Sequence, residues 1–174
     1  MKIIAFDLAR KTGCAIGDAS ASPICHTEVL GEVGSRHGIK FAQVLYMTKR
    51  LILEHKPDFV VIEKPIATGV AGSENRVQLA MGYRACVMAS AHLYQVKFHH
   101  YDVQDIRRHF IGRGDLRRDP AKAAVMRRCK QLGWNVSNDD EADACAVWDY
   151  ARSRLANKST MPQGGLFDDG NTQF

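Results

Sequence analysis

Two short apolar runs, each closed by a carboxylate, constrain this chain more than any other feature. Lys2-Ile3-Ile4-Ala5-Phe6 ends in Asp7, and Phe59-Val60-Val61-Ile62 ends in Glu63. Runs of this length and β-branched content read as buried strands. An acid at the end of a buried strand is costly to leave without a partner. A third acidic feature, Asp140-Glu141-Ala142-Asp143, opens an alanine-rich segment that reads as a helix through Trp148. Asp140 and Asp143 are three apart and share one helical face, and in a first turn their charge suits the helix dipole. A divalent cation answers several such acids together, which points to a metal-dependent enzyme.

The rest of the chain supplies the frame for these acids. After the first strand, Arg10-Lys11-Thr12-Gly13 reads as a turn, Cys14-Ala15-Ile16-Gly17 as a returning strand and residues 24–33 as a third strand, which makes an antiparallel meander. From about Gly38 the apolar period is helical, and that helix must stop before Pro57. Residues 58–63 then form a strand reached by a helical crossover, and so one parallel to its neighbour. Residues 64–73 read as a flexible loop containing Pro65, Gly69 and Gly72. A second helix follows over 74–93, where Ala80, Gly82, Ala85 and Ala89 permit close packing on another helix or on a subunit. Residues 95–101 form a strand with His99 and His100, and 102–110 a short helix. Asp119 is expected to cap a helix with Pro120 in its first turn, and Asn138 or Asp139 opens the last helix, which runs to about Ala156. The order gives an α/β fold with a mixed five-stranded sheet flanked by helices. Residues 1–156 are expected to form one domain and residues 157–174 a flexible, polar and Gly-rich tail.

Adjacency of the first and fourth strands would bring Asp7 and Glu63 face to face, with the last helix carrying Asp140 and Asp143 over the same edge. Phosphodiester hydrolysis by two Mg²⁺ ions needs hard oxygen ligands of this kind. Each acid also has an ordinary reading as a cap, a solvated group or an ion-pair partner. Asp139 and Glu141 compete for the ligand positions. Asp139 is expected as the N-cap, and Glu141 is expected to point away from the shared face.

Charge is concentrated in one segment. The chain carries a net charge of +5 over 174 residues, which favours a polyanionic partner. Between residues 107 and 130 lie nine cations, Arg107, Arg108, Arg113, Arg117, Arg118, Lys122, Arg127, Arg128 and Lys130, against only Asp115 and Asp119. The cation excess therefore sits here, as phosphate neutralisation requires. Gly112 and Gly114 let the backbone approach a phosphate, and Lys122 or Arg107 suits the charge on a scissile phosphate. A solvated helix face is the ordinary alternative. His99 and His100 alternate across their strand and read as core or surface residues, while Trp134 and Trp148 read as core or interface. Five cysteines without a CxxC spacing argue against a disulfide framework or a zinc site and read as reduced thiols with small apolar packing roles. The N-terminal run is too short and too soon interrupted by Asp7 for a signal peptide, and no apolar stretch approaches the ~20 residues of a membrane span. A cytoplasmic protein is expected.

In order and spacing these pieces resemble the RuvC family of Holliday-junction resolvases, in the ribonuclease H-like superfamily. The resemblance spans about residues 1–155. It is carried by Ile4-Ala5-Phe6-Asp7 with Thr12-Gly13, by Val60-Val61-Ile62-Glu63, by Asn75 through Leu79-Ala80-Met81-Gly82-Tyr83-Arg84-Ala85, and by Asp140-Glu141-Ala142-Asp143-Ala144. Tyr101, Ile106-Arg107, Ile111-Gly112-Arg113-Gly114 and Lys122 are similar to the family's basic segment. The resemblance implies a ribonuclease H-like fold and a homodimeric endonuclease that nicks opposing strands of a four-way DNA junction. It implies two Mg²⁺ ions per active site, with Mn²⁺ able to substitute. By position Asp7, Glu63, Asp140 and Asp143 correspond to the metal-binding acids, and Lys122 joins them as a catalytic residue. DNA contacts fall to Arg10, Lys11, Ile66, Asn75, Arg76, Arg107, Arg108, Arg113, Arg117, Arg118 and Lys122. Leu8-Ala9 stands where the family often has Pro-Gly, Ile66 where it commonly has an aromatic wedge, and Arg107 where a Lys is usual. Residues 115–120 read as an insertion. These departures fall in DNA-reading parts and suit a phage or mobile-element member. The alternatives are a nuclease for other branched DNA or RNA–DNA hybrids and a catalytically silent DNA-binding protein. An actin-like ATPase would need a second phosphate loop and a longer chain.

Overall fold

The computed structural model describes residues 1–64 and 74–159. In chain order the elements are β1 (Lys2–Asp7), β2 (Lys11–Asp18), β3 (Ile24–Val29), α1 (His37–His55), β4 (Phe59–Glu63), α2 (Glu74–Leu93), β5 (Lys97–Tyr101), α3 (Val103–Ile111), α4 (Arg118–Gln131) and α5 (Asp139–Ser159). The five strands form one mixed sheet in the order β3-β2-β1-β4-β5. β1, β2 and β3 make the expected antiparallel meander, and β4 and β5 run parallel to β1. The first and fourth strands are neighbours, as the placement of the acids requires.

Strand parity decides which side each residue faces. On β1, Ile4 and Phe6 join the core beneath α1 and α2, with Val60 and Ile62 of β4. Ile3 and Ala5 point to the opposite layer with Val61, under Ile106, Val125, Trp134 and Trp148 of the α3–α5 side. Asp7 and Glu63 continue the odd parity, so both project toward α5. α5 approaches the sheet closely because Ala142, Ala144, Ala146 and Ala151 line its buried side. Trp134 and Trp148 are core residues, crossing edge-on at 5.9 Å. Tyr101 packs edge-on against Tyr150 at 5.0 Å.

On the other face, Gly82 of α2 sits over the Phe41 ring of α1, where a Cβ would fall 2.2 Å from the ring. The small residues of α2 therefore serve, at Gly82, helix packing within the chain. Val77 and Met81 are 37% and 44% exposed, and with exposed Ala85 and Ala89 they make an outward row at helical i, i+4 spacing.

Several boundaries differ from the sequence expectation. β3 ends at Val29 rather than 33: the Leu30 amide bonds to the Arg10 carbonyl at 2.7 Å, in register with the β2–β3 pairs, and the Leu30 side chain is buried. Asp119 is not an N-cap: α4 starts at Arg118 after Arg117, and no side chain caps it. Pro120 does not fix the start, since the amides of the first turn have no intrahelical partner and Pro is tolerated there. Asp139 is not the cap of α5 either. Asn138 takes that place, its Oδ1 accepting the Glu141 amide at 2.9 Å. α5 continues to Ser159, three residues beyond the expected end. Of the loop expected over residues 64–73, residues 65–73 including Ile66 lie outside the described residues, as do residues 160–174 of the expected tail. No helix among the described residues is long and apolar enough to cross a membrane.

Candidate active site

Three elements deliver the four acids to one end of the sheet. Asp7 ends β1 and is paired across to Gly13 on β2. Glu63 ends β4, one residue beyond the Phe6–Ile62 pair. Asp140 and Asp143 come from the first turns of α5. What brings α5 so near is Gly13. A Cβ there would lie 1.8 Å from the Asp140 carbonyl oxygen, so only glycine lets β2 and the α5 N-terminus meet.

The electrostatics show that these acids share an environment. Burial raises the Asp7 carboxyl well above the usual range, and Asp143, Glu63 and Asp140 add repulsion in that order, partly offset by Lys122. Glu63 is pushed up to about 7, by burial first and then by Asp143, against the Arg107 charge. Asp143 is pushed up to about 6, chiefly by burial, with Lys122 and Arg107 pulling it down. Asp140 is also raised, by burial and by its neighbour Asp139. Carboxylates shifted in this way by burial and by one another mark a functional site more often than a structural one.

Lys122 of α4 stands at the rim. It forms an ion pair with Asp139, and its Nζ is 4.0 Å from Asp143 Oδ2. Asp139, held below its ordinary value by that hydrogen bond, thus orients the lysine. Glu141 points away from the acids, as expected. It is buried, accepts the Thr27 hydroxyl at 2.9 Å and the Ser137 amide at 2.7 Å, and locks α5 to β3. Thr27 carries no signal in the sequence for this clamp, and Asn138, a candidate start of the helix, joins it by donating to Thr27 Oγ1 at 2.9 Å. An Asn three residues before a Glu was a legible capping signal.

The remaining candidates scatter more widely. Lys11 is close enough to Asp140 to oppose its charge, and Arg10 acts on Tyr83. Arg107 faces Glu63 and Asp143, whereas Arg108 pairs with Asp105 and Arg113 with Asp115 at the surface. Gly112 ends α3 in the left-handed region (φ 76°), and Gly114 packs on the Gln104 carbonyl, so both glycines serve the turn itself. Arg117, Arg118, Asn75 and Arg76 are exposed. Neither His99 nor His100 joins the acids. His99 stacks with Tyr101, and His100 lies 3.5 Å from Arg84. A groove of about 800 Å³ between β3 and α1, lined by Glu28, Tyr46 and Arg50 among others, contains none of the four acids.

The donor set is oxygen-only, half-buried and repelling, with Lys122, Lys11 and Arg107 as nearby countercharge. That chemistry suits hard divalent cations. Among the described residues no three His, Cys, Asp or Glu side chains are placed as a ready-made ligand set.

The sequence matches no protein-family model and no curated protein. Solved structures do match. Thermus thermophilus RuvC is 16% identical with a TM-score of 0.65, covering 90% of this chain and 97% of that one. T. thermophilus RuvC in complex with Holliday junction substrate is 17% identical at a TM-score of 0.66, covering 88% and 96%. The yeast mitochondrial Holliday junction resolvase Ydc2 is 10% identical at 0.59, covering 89% and 80%. At these identities the likeness is one of fold: the chain has the ribonuclease H-like fold in the form found in RuvC resolvases.

Proposed function

We propose that this chain is a Mg²⁺-dependent endonuclease that resolves four-way DNA junctions by paired nicks, acting as a homodimer. One observation carries the reading. Carboxylates from β1, β4 and α5 gather at one end of the sheet, where burial first and then neighbouring acids raise Asp7, Glu63 and Asp143, with Asp140 beside them, in a fold shared with a resolvase solved on Holliday junction substrate.

Asp7, Glu63, Asp140 and Asp143 would hold the metal. When bound, Mg²⁺ (or Mn²⁺) supplies an activated water and neutralises charge on the leaving oxygen. The protein's own residues do the rest. Gly13 and the Glu141–Thr27 contact hold the α5 N-terminus against the sheet, so that Asp140 and Asp143 stay beside Asp7. Lys122, steered by Asp139, places a cation where a phosphate oxygen gains charge. Arg107 adds a second cation between Glu63 and Asp143. The exposed Arg117 and Arg118 at the start of α4 continue this cationic surface outward, for backbone phosphates. Junction resolution needs two coupled cuts, and the outward apolar row of α2, from Val77 through Met81 and Ala85 to Ala89, supplies a self-complementary seam for a second copy.

The test is a substrate panel. Purified protein with Mg²⁺ is incubated with four-way, three-way, flap, duplex and RNA–DNA substrates. The expected result is preferential, symmetric nicking of the four-way junction. Preference for flaps or hybrids would move the substrate to other branched nucleic acid, and binding without cleavage would make the chain a silent DNA-binding protein.

A further inference from the structure

Cys25 on the edge strand β3 and Cys145 in α5 are 120 residues apart in sequence, yet their sulfurs stand 2.7 Å from each other. Bonded disulfide sulfurs stand at ~2.05 Å, so a sub-ångström movement closes the pair. The two thiols are unequal. Cys145 is fully buried, whereas Cys25 is partly open to solvent. A third thiol, Cys129 of α4, is also fully buried and close enough to Cys145 to influence it, its Sγ donating to the Ala142 carbonyl at 4.0 Å. β3 and α5 are held in register around this pair by a separate polar clasp, in which the Thr27 hydroxyl donates to Glu141 and Asn138 Nδ2 donates to Thr27 Oγ1 at 2.9 Å. The sulfurs are therefore fixed in proximity by the fold, which is the requirement for efficient bridging.

We propose that Cys25 and Cys145 form a peroxide-sensitive dithiol, closing to a disulfide that staples β3 to the helix bearing Asp140 and Asp143. The chemistry balances in two steps. The Cys25 sulfur attacks hydrogen peroxide and the O–O bond breaks, giving a sulfenic acid on Cys25 and one water. The Cys145 sulfur then attacks the Cys25 sulfur, the S–O bond breaks, and the hydroxyl leaves as a second water with the Cys145 proton. In sum, two thiols are oxidised by two electrons and one peroxide is reduced to two waters. Access fixes the order, because only Cys25 meets the oxidant. In a thiol-reducing compartment the pair stays open.

The experiment uses the full chain, reduced, freed of reductant and treated with a small molar excess of hydrogen peroxide. It is then denatured, alkylated and mapped by mass spectrometry. Two of the five cysteines are expected to escape alkylation, in a peptide pair joining Cys25 to Cys145, with Cys129 still alkylated. The oxidised protein is expected to melt roughly 10 °C higher, because the bridge closes a long loop, and dithiothreitol should reverse the shift. Cys25→Ser should lose both effects, and Cys129→Ala should keep them. The wild-type map decides even where the buried Cys129→Ala variant does not fold. Five alkylated cysteines, a Cys129–Cys145 bridge, or Cys25 driven to sulfinic acid with no bridge would each overturn the assignment.

Discussion

Gly13 and Asp140 meet backbone to backbone: a Cβ on Gly13 would sit 1.8 Å from the Asp140 carbonyl oxygen. Since Gly13 is also the cross-strand partner of Asp7, one missing side chain sets the distance between the first and third acids. Neither backbone can yield cheaply, because both belong to regular elements. Gly13→Ala is expected to cost more than 2 kcal/mol or so, in the range of buried overpacking, and to lose cleavage even where the variant folds. Gly38→Ala is the control, since nothing lies within 4 Å of a Cβ there and the residue is helical. It should be neutral or stabilising by up to about 1 kcal/mol. Urea melts of the two variants check the contrast.

The raised carboxyls make the metal-free protein pH-sensitive. Burial pushes Glu63 up to about 7 and Asp143 up to about 6 in the folded chain, against ordinary values near 4 when unfolded. Between those limits the folded state binds more protons than the unfolded one, so stability falls as pH rises, and the loss is complete above about 7. For Glu63 alone this is on the order of 3 kcal/mol. In EDTA the melting temperature should therefore drop from pH 5 to pH 8. Mg²⁺ should restore it at pH 8, and Asp7→Asn should flatten the decline. A melting temperature that rises over this range in EDTA would contradict the burial of charge at the site.

Much of this was legible in the chain. Ile3 through Phe6 and Val60 through Ile62 announced two buried strands, and strand parity then fixed the side on which Asp7 and Glu63 emerge. The i, i+3 spacing of Asp140 and Asp143 placed both on one face. What the chain did not reveal depends on partners far away in sequence. Asp139 was mistaken for a cap because its lysine, Lys122, is local only after α4 and α5 pack. Glu141 is held by Thr27, 114 residues distant. Cys145 looked like apolar filling until Cys25 came within reach across the β3–α5 contact. Asp119 was misassigned for a different reason: Pro fits any position of a first turn, so it marks a helix start only loosely.

Phosphate contacts outside the acid cluster should report themselves through salt. Arg107→Ala, Arg117→Ala and Arg118→Ala are each expected to weaken junction binding. Each should also lower the slope of log Kd against log salt by about 1. Arg113→Ala should change it less, because Arg113 is tied to Asp115 by two hydrogen bonds. Fluorescence-anisotropy titrations from 50 to 200 mM salt, on the order of the usual working range, separate these cases.

The second copy is expected along α2. Sedimentation should give a mass near twice 19.4 kDa, and Met81→Asp, which puts a charge in the middle of the exposed apolar row, should give a monomer that still folds. Such a monomer should nick one strand and lose the paired second cut. A wild-type monomer at micromolar concentration would remove the seam.

The most direct measurement compares wild type with Asp7→Asn on a labelled four-way junction in Mg²⁺, scoring both cleavage and binding. The expected result is symmetric nicks from the wild type and cleavage reduced at least about a hundredfold in Asp7→Asn, with junction affinity unchanged within a few-fold. Wild-type cleavage in EDTA, or an Asp7→Asn variant that cuts as well as wild type, would contradict the assignment of these carboxylates to the metal.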